Sequence, residues 1–176
     1  MHSKLWSLPG LAAMAVTAAL LATPAAQAQS AKKSSAAGGN SEIITGSSFE
    51  AILASLQRAG FMVELSKDSD GDPMIESTDN DDPFLVYFYE CVDGKDCGYM
   101  QFREGWDLKN GTSVDVIEKW NEDRVWGRAW LDSDDDPWID MTVNLRGGIT
   151  AANLDDSASW WWSVLRDFED HIGFNK

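Results

Sequence analysis

Residues 125–145, Val125 to Leu145, read VWGRAWLDSDDDPWIDMTVNL and carry the strongest strand signal in the chain. In the first half, Val125, Gly127, Ala129 and Leu131 alternate with Trp126, Arg128 and Trp130. In the second half, Ile139, Met141, Val143 and Leu145 alternate with Trp138, Asp140, Thr142 and Asn144. A period of two puts each set on one face of a strand. The segment is therefore expected to be a hairpin, with one face in a core and a polar face set with tryptophans. Trp126, Trp130 and Trp138 are expected to share that second face, with Arg128 between them.

The hairpin turn, Asp132-Ser133-Asp134-Asp135-Asp136-Pro137, has relatives at Asp68-Ser69-Asp70-Gly71-Asp72-Pro73 and Asp79-Asn80-Asp81-Asp82-Pro83. An EF-hand calcium loop needs glycine at its sixth position and a bidentate Glu at its twelfth. Counting from Asp68 these positions are Pro73 and Asp79, and from Asp132 they are Pro137 and Val143. Neither fits, which leaves a weak calcium loop at Asp132–Asp136 as the metal alternative. Turns explain more. Asp and Ser start them by bonding their own backbone, and Asp-Pro sets the extended geometry of the next strand.

Working outward, Ser47-Ser48-Phe49-Glu50 has capping-box spacing and opens a helix with Phe49, Ile52, Leu53 and Leu56 on one stripe, ended by Gly60. Strands are expected at 61–66, 73–77, 83–92 and 97–104. A second helix, capped by Thr112 or Ser113, follows from Val114 to about Glu122. After Gly147-Gly148, Thr150 caps a long helix from Ala151 to about His171, with Leu154, Trp161, Leu165 and Phe168 along one side. Trp160, Trp161 and Trp162 cannot all point inward, so at least one is expected to be exposed. The order α-β-β-β-β-α-β-β-α, with hairpin-length links, implies an α+β domain. In it, helices pack on one face of an antiparallel sheet and leave the other without evident cover.

The N-terminus is read as a targeting segment. Lys4 precedes an apolar run from Leu5 to Ala22, and Ala26-Gln27-Ala28 has the small-x-small pattern of a signal-peptidase site. Residues 1–28 are expected to be a signal peptide, 29–42 a flexible Ala/Ser/Gly/Lys linker, and 43–176 the folded domain. Export, most simply to the periplasm with secretion as the alternative, follows from this, without stable membrane insertion after cleavage. The chain has 29 acidic residues against 14 Lys and Arg, a formal charge of −15. That charge repels nucleic acid and anionic membranes and suits a basic partner or solubility. Cys91 and Cys97 are the only cysteines, and in an exported chain they favour a disulfide across a hairpin. Direct pairing needs an odd-numbered loop, whereas a two-residue Asp93-Gly94 turn would set Cys91 opposite Asp96.

The stretch Trp120-Asn121-Glu122-Asp123-Arg124-Val125-Trp126-Gly127-Arg128-Ala129-Trp130-Leu131-Asp132 resembles the signature of the YbjN family, small bacterial proteins labelled sensory-transduction regulators. The resemblance runs on through Gly147-Gly148-Ile149-Thr150, Asn153-Leu154 and the 160–168 helix. Trp126 and Trp130 stand where Phe and Tyr would be expected. It implies a fold similar to that of type III secretion chaperones, an α/β sandwich that binds another polypeptide and is often dimeric.

No catalytic constellation is legible. Apart from His2 in the signal-like segment, the one histidine is His171, and no Ser-His pair, HExxH, phosphate loop or CxxC array occurs. No cofactor motif is present either. The residues expected to bind are Trp126, Arg128, Trp130, Trp138, Trp160 and Trp162, because exposed aromatics with arginine mark interaction surfaces. The leading expectation is a non-enzymatic exported domain that holds a protein partner or a second copy of itself. The alternative is an envelope-associated carbohydrate-binding module that stacks sugars on those tryptophans.

Overall fold

The computed structural model describes residues 41–79 and 83–174. The expected signal peptide, and the linker apart from Ser41 and Glu42, lie outside the described residues, as do Asn80, Asp81 and Asp82 of the middle aspartate run. The chain runs β1 (Ile43–Ile44), α1 (Phe49–Arg58), β2 (Val63–Lys67), β3 (Pro73–Ser77), β4 (Leu85–Tyr89), β5 (Tyr99–Gly105), α2 (Val114–Asp123), β6 (Arg128–Leu131), β7 (Pro137–Asn144), β8 (Ile149–Thr150) and α3 (Ala151–Ile172). The expected order is present, with β1 and β8 added. Two-residue strands are too short to carry any alternation.

β2 to β7 form one antiparallel sheet in the order β2-β3-β4-β5-β7-β6, and β1 pairs with β8 apart from it. On one face Val63, Ile75, Val86, Phe88, Met100, Phe102, Ile139 and Met141 are buried against helices. Along α3, Leu154, Ala158, Trp161, Leu165 and Phe168 recur at three- and four-residue spacing, so one helical stripe enters this core. Trp161 lies at its centre, stacked on Phe102 at 5.3 Å and edge-on to Phe84 at 6.0 Å. Burying an indole this fully is worth about 3–5 kcal/mol against alanine. α1 is tied to α3 through Asp155, which accepts from the Ser55 hydroxyl at 2.5 Å and the Arg58 guanidinium at 2.7 Å.

The start of α3 follows sequence expectation, since Thr150 Oγ1 accepts the Asn153 N–H at 3.2 Å, and the helix ends at Gly173, at φ 72°. The start of α1 does not. Its N-cap is Ser48, with no side-chain cap bond. The hydroxyls are used elsewhere: Ser48 accepts from the Thr45 N–H, and Ser47 from the Asp96 N–H across the fold. The expected capping box is therefore not formed.

Two of the aspartate runs fold as the same turn. Asp68 Oδ1 accepts from the N–H groups of Asp70 and Asp72, and Asp132 Oδ1 from those of Asp134 and Asp136. Each turn then closes by a 3.0 Å bond from the first Asp N–H to the last Asp C=O. The left-handed position is Gly71 in one and Asp135 in the other. The second turn also anchors the loop before α2, since Asp136 Oδ1 accepts the Leu108 N–H at 2.8 Å.

Cys91 and Cys97 are disulfide-bonded. Both alternatives for their hairpin are realised at once. The β4–β5 register, Tyr89 opposite Tyr99, sets Cys91 opposite Cys97, while the tip closes through a Val92–Lys95 bridge around Asp93-Gly94. Asp96, at φ 50°, is the extra residue that reconciles the two counts.

Candidate functional site

The sheet's second face carries no helix among the described residues. Because β-strands alternate, the residues opposite the core on β4 and β5 are Leu85, Tyr87, Tyr89, Tyr99, Gln101, Arg103 and Gly105. β7 adds Trp138, Asp140 and Thr142 to this face, and β6 adds Arg128 and Trp130. All 3 tyrosines of the chain lie on this surface. Most of these side chains are half-buried, because they lie flat against each other rather than under a covering element.

The register accounts for the contacts. Trp130 is directly opposite Trp138, and their rings stack at 5.4 Å with 17° between planes. Trp138 lies over Gly105, its cross-strand partner, where a Cβ would come within 2.4 Å of the indole. Its Nε1–H donates to Asp132 Oδ2 at 3.0 Å, so the aspartate turn fixes the ring that follows it. This bond and the backbone N–H groups of the turn hold the Asp132 carboxyl below the usual carboxylate range.

Next along the face, Asp140 is flanked by Arg103 on β5 and Arg128 on β6. Arg128 grips it with Nε at 3.2 Å and a second nitrogen at 2.5 Å. The Asp140 side chain is only 4% exposed, whereas that of Arg128 is 67% exposed. Such a pair positions the arginine more than it stabilises the sheet. Arg103 lies over the rings of Tyr87 at 5.3 Å and Trp130 at 5.9 Å, and donates to Gln101 Oε1 at 2.7 Å. Gln101 in turn receives the Tyr89 hydroxyl at 3.3 Å and donates to Thr142 at 3.2 Å. Tyr89 and Tyr99 stack at 5.1 Å. Burial pushes the Tyr89 hydroxyl pKa up, against the lowering effect of Arg103.

The six residues singled out in the sequence are thus divided. Arg128, Trp130 and Trp138 meet on the open face. Trp126 does not join them, because β6 begins only at Arg128 and Gly127, at φ 80°, breaks the expected alternation. The chain turns at Gly127 towards α3, and Trp126 packs near Trp160 at 5.9 Å on the helical side. Trp126 is 48% exposed, Trp160 45% and Trp162 43%. Trp162 lies apart again, edge-on to Phe61 at 5.5 Å and under Arg166 at 4.7 Å. His171 serves structure: its Nε2 lies 2.8 Å from the Val116 C=O and its ring packs against Trp120.

Residues 48–174 match the profile of YbjN, a family described as "Putative bacterial sensory transduction regulator". The chain belongs to the YbjN family. No curated protein matches it, and no solved structure does.

In this YbjN domain the segment from Trp120 to Leu131 has a clear structural task. Trp120, fully buried, donates from Nε1 to the Gly127 C=O at 2.8 Å. The Asn121 side chain accepts the Ala129 N–H at 2.9 Å and donates to the Ala129 C=O at 3.0 Å. α2 thereby holds the bend at Gly127 and seals the outer edge of β6. The tyrosines and Arg103 were not among the residues expected to bind. Their signal was the Phe/Tyr distinction within Phe84-Leu85-Val86-Tyr87-Phe88-Tyr89: the hydroxyl-bearing rings take one face, and Phe84, Val86 and Phe88 take the core.

Proposed function

We propose that this is an exported, non-catalytic YbjN domain that holds a segment of a partner protein, or of a second copy, on the open face of its sheet. One observation carries the reading: the uncovered face gathers Tyr87, Tyr89, Tyr99, Trp130 and Trp138 around Arg103 and Arg128. Tyr, Trp and Arg are the residues in which interface hot spots concentrate. β4 to β6 span four strands, roughly 15 Å, and β5 adds roughly 20 Å along the face at ordinary strand spacings. A patch of that size suits one helix or a strand pair of a partner rather than a large obligate interface. The regulator description of the family supports the same reading, and a secretion-chaperone-like role, which the sequence resemblance implies, is part of the proposal.

The test replaces Tyr87, Tyr99 and Trp130 together with Ser and compares cross-linked assemblies from the native envelope by mass spectrometry. Loss of a partner, or of a dimer, with the melting temperature largely kept is the expected result. Equal recovery from both proteins would sink the proposal. Retention of a polysaccharide that depends on the same residues would replace it with the carbohydrate reading.

A further inference from the structure

Apart from the open face, the sheet has an edge that its own strands leave incomplete. β7 runs Pro137–Asn144, but β6 covers only Pro137–Asp140. On its other side β7 is paired with β5 as far as Asn144. The Pro137 C=O receives the Trp106 N–H and the Leu145 N–H donates to Gly98, so odd-numbered residues aim their backbone groups at β5. Even-numbered residues therefore aim outward. β6 takes up Trp138 and Asp140, which, among the described residues, leaves the backbone N–H and C=O of Thr142 and Asn144 directed at an open edge.

The reason for the gap is local. Gly127 takes the chain off the sheet, and a Cβ there would lie 2.7 Å from Val164 and 2.9 Å from Ile139. Between the vacated edge and α3 is a cavity of about 360 Å³, bounded by Thr142, Asn144, Asp156, Ser157, Trp126 and Trp160. The other outer strands are blunted. Asn121 fills the hydrogen-bonding groups of Ala129 on β6, and β2 carries Glu64 and Lys67 on its edge.

We propose that this edge is a docking site for an extended basic segment of another protein, added as a short strand beside Thr142 and Asn144. Residues of an added strand that face α3 meet the exposed indoles of Trp126 and Trp160 and the exposed carboxylate of Asp156. A Lys or Arg satisfies both, laying its stem and charge on an indole and reaching the carboxylate. A second copy is the poorer occupant, because pairing two such edges sets chains of formal charge −15 and their Asp156 carboxylates against each other.

The probe is acetyl-Thr-Arg-Thr-Arg-Thr-amide, titrated into the full folded chain and followed by tryptophan fluorescence. Saturable binding is expected. It should weaken tenfold or more when Arg is replaced by Glu in the peptide. N-methylation of the Thr positions and N-methylation of the Arg positions should have opposite effects, one abolishing binding and the other sparing it, since only alternate N–H groups face β7. Thr142→Pro removes an outward N–H that the β5–β7 ladder does not use, and Asp156→Lys reverses the charge of the wall without touching the core. Each should cost tenfold or more in affinity, so the second variant serves if the first misfolds. Equal binding by both N-methylated peptides, by the Glu peptide, or by both variants would overturn the proposal. So would a wild-type dimer in sedimentation that Thr142→Pro dissolves, because the edge would then belong to a second copy. Binding that survives the open-face Ser substitutions but not Asp156→Lys separates this site from the one proposed above.

Discussion

Asn121 and Ala129 are joined by a reciprocal pair of hydrogen bonds, N–H to side-chain oxygen at 2.9 Å and side-chain nitrogen to C=O at 3.0 Å. A side chain here imitates a neighbouring strand, so the last strand of the sheet ends on a helix. Asn121→Ala leaves both Ala129 groups open at an edge and should cost about 1–3 kcal/mol in urea unfolding. Asn121→Asp keeps the acceptor and loses the donor, and should fall between. Concentration-dependent association should rise in the Ala variant, since an unsealed edge is a pairing surface. Wild-type stability in both variants would refute the role.

Gly105→Ala tests the seat of Trp138. The new methyl would sit within 2.4 Å of the indole, so the ring must leave its place over β5. A loss of about 1–3 kcal/mol is expected, as for other overpacked sites. The near-ultraviolet circular dichroism of the Trp130–Trp138 stack should weaken with it. An unchanged spectrum would mean that the stack does not depend on the glycine.

Much of the sheet is legible in the amino-acid sequence because period-two patterns are local. Ile139, Met141, Val143 and Leu145 need no knowledge of their partners to be assigned to one face. Gly60 likewise reads as a helix end because its task is local. Trp126 cannot be placed in this way. Its side is decided by Gly127, where the chain bends at positive φ and a Cβ would meet Val164 and Ile139, crowding that no local pattern reveals. Ser47 misleads for the same reason, its hydroxyl being drawn to Asp96 on a distant hairpin. The open face is only half visible in the sequence. Its tryptophans stand out by rarity, but joining Tyr87, Tyr99 and Arg103 to them requires the β5–β7 and β4–β5 registers, which no single strand encodes.

The Asp132–Trp138 bond gives stability an acid dependence. A carboxyl whose folded pKa is depressed contributes fully above its unfolded value, about 3.9, and the contribution is lost as pH falls through the folded value. Asp132→Asn opposes an amide donor to the Trp138 N–H or leaves it unmatched. The stability gap between wild type and Asp132→Asn should therefore be full at neutral pH and close below about pH 4. Urea unfolding at a series of pH values measures it. A gap that stays constant from neutral to acid would contradict the assignment.

Reduction of Cys91–Cys97 should be felt at the hairpin tip and in α1's leading turn. The Cys97 N–H donates to the Gly46 C=O at 3.1 Å, and the Asp96 N–H to Ser47, so the bridged tip is docked on residues before α1. For a loop this short the bridge contributes about 2 kcal/mol. Urea unfolding with and without reductant should show that loss in the wild type and none in a Cys91→Ser, Cys97→Ser double variant. No effect of reductant on the wild type would place the tip's stability elsewhere.

Binding on the open face is tested most directly by placing a photo-crosslinking amino acid at single positions of the full chain in its native cell. Tyr89 and Tyr99 report on the open face, and Glu50, exposed on α1, reports on the helical side. The expected result is one discrete adduct, the same from Tyr89 and Tyr99, and none from Glu50. Adducts from Glu50 alone, or none from either tyrosine position, would contradict the assignment of the open sheet face as the surface that holds a partner.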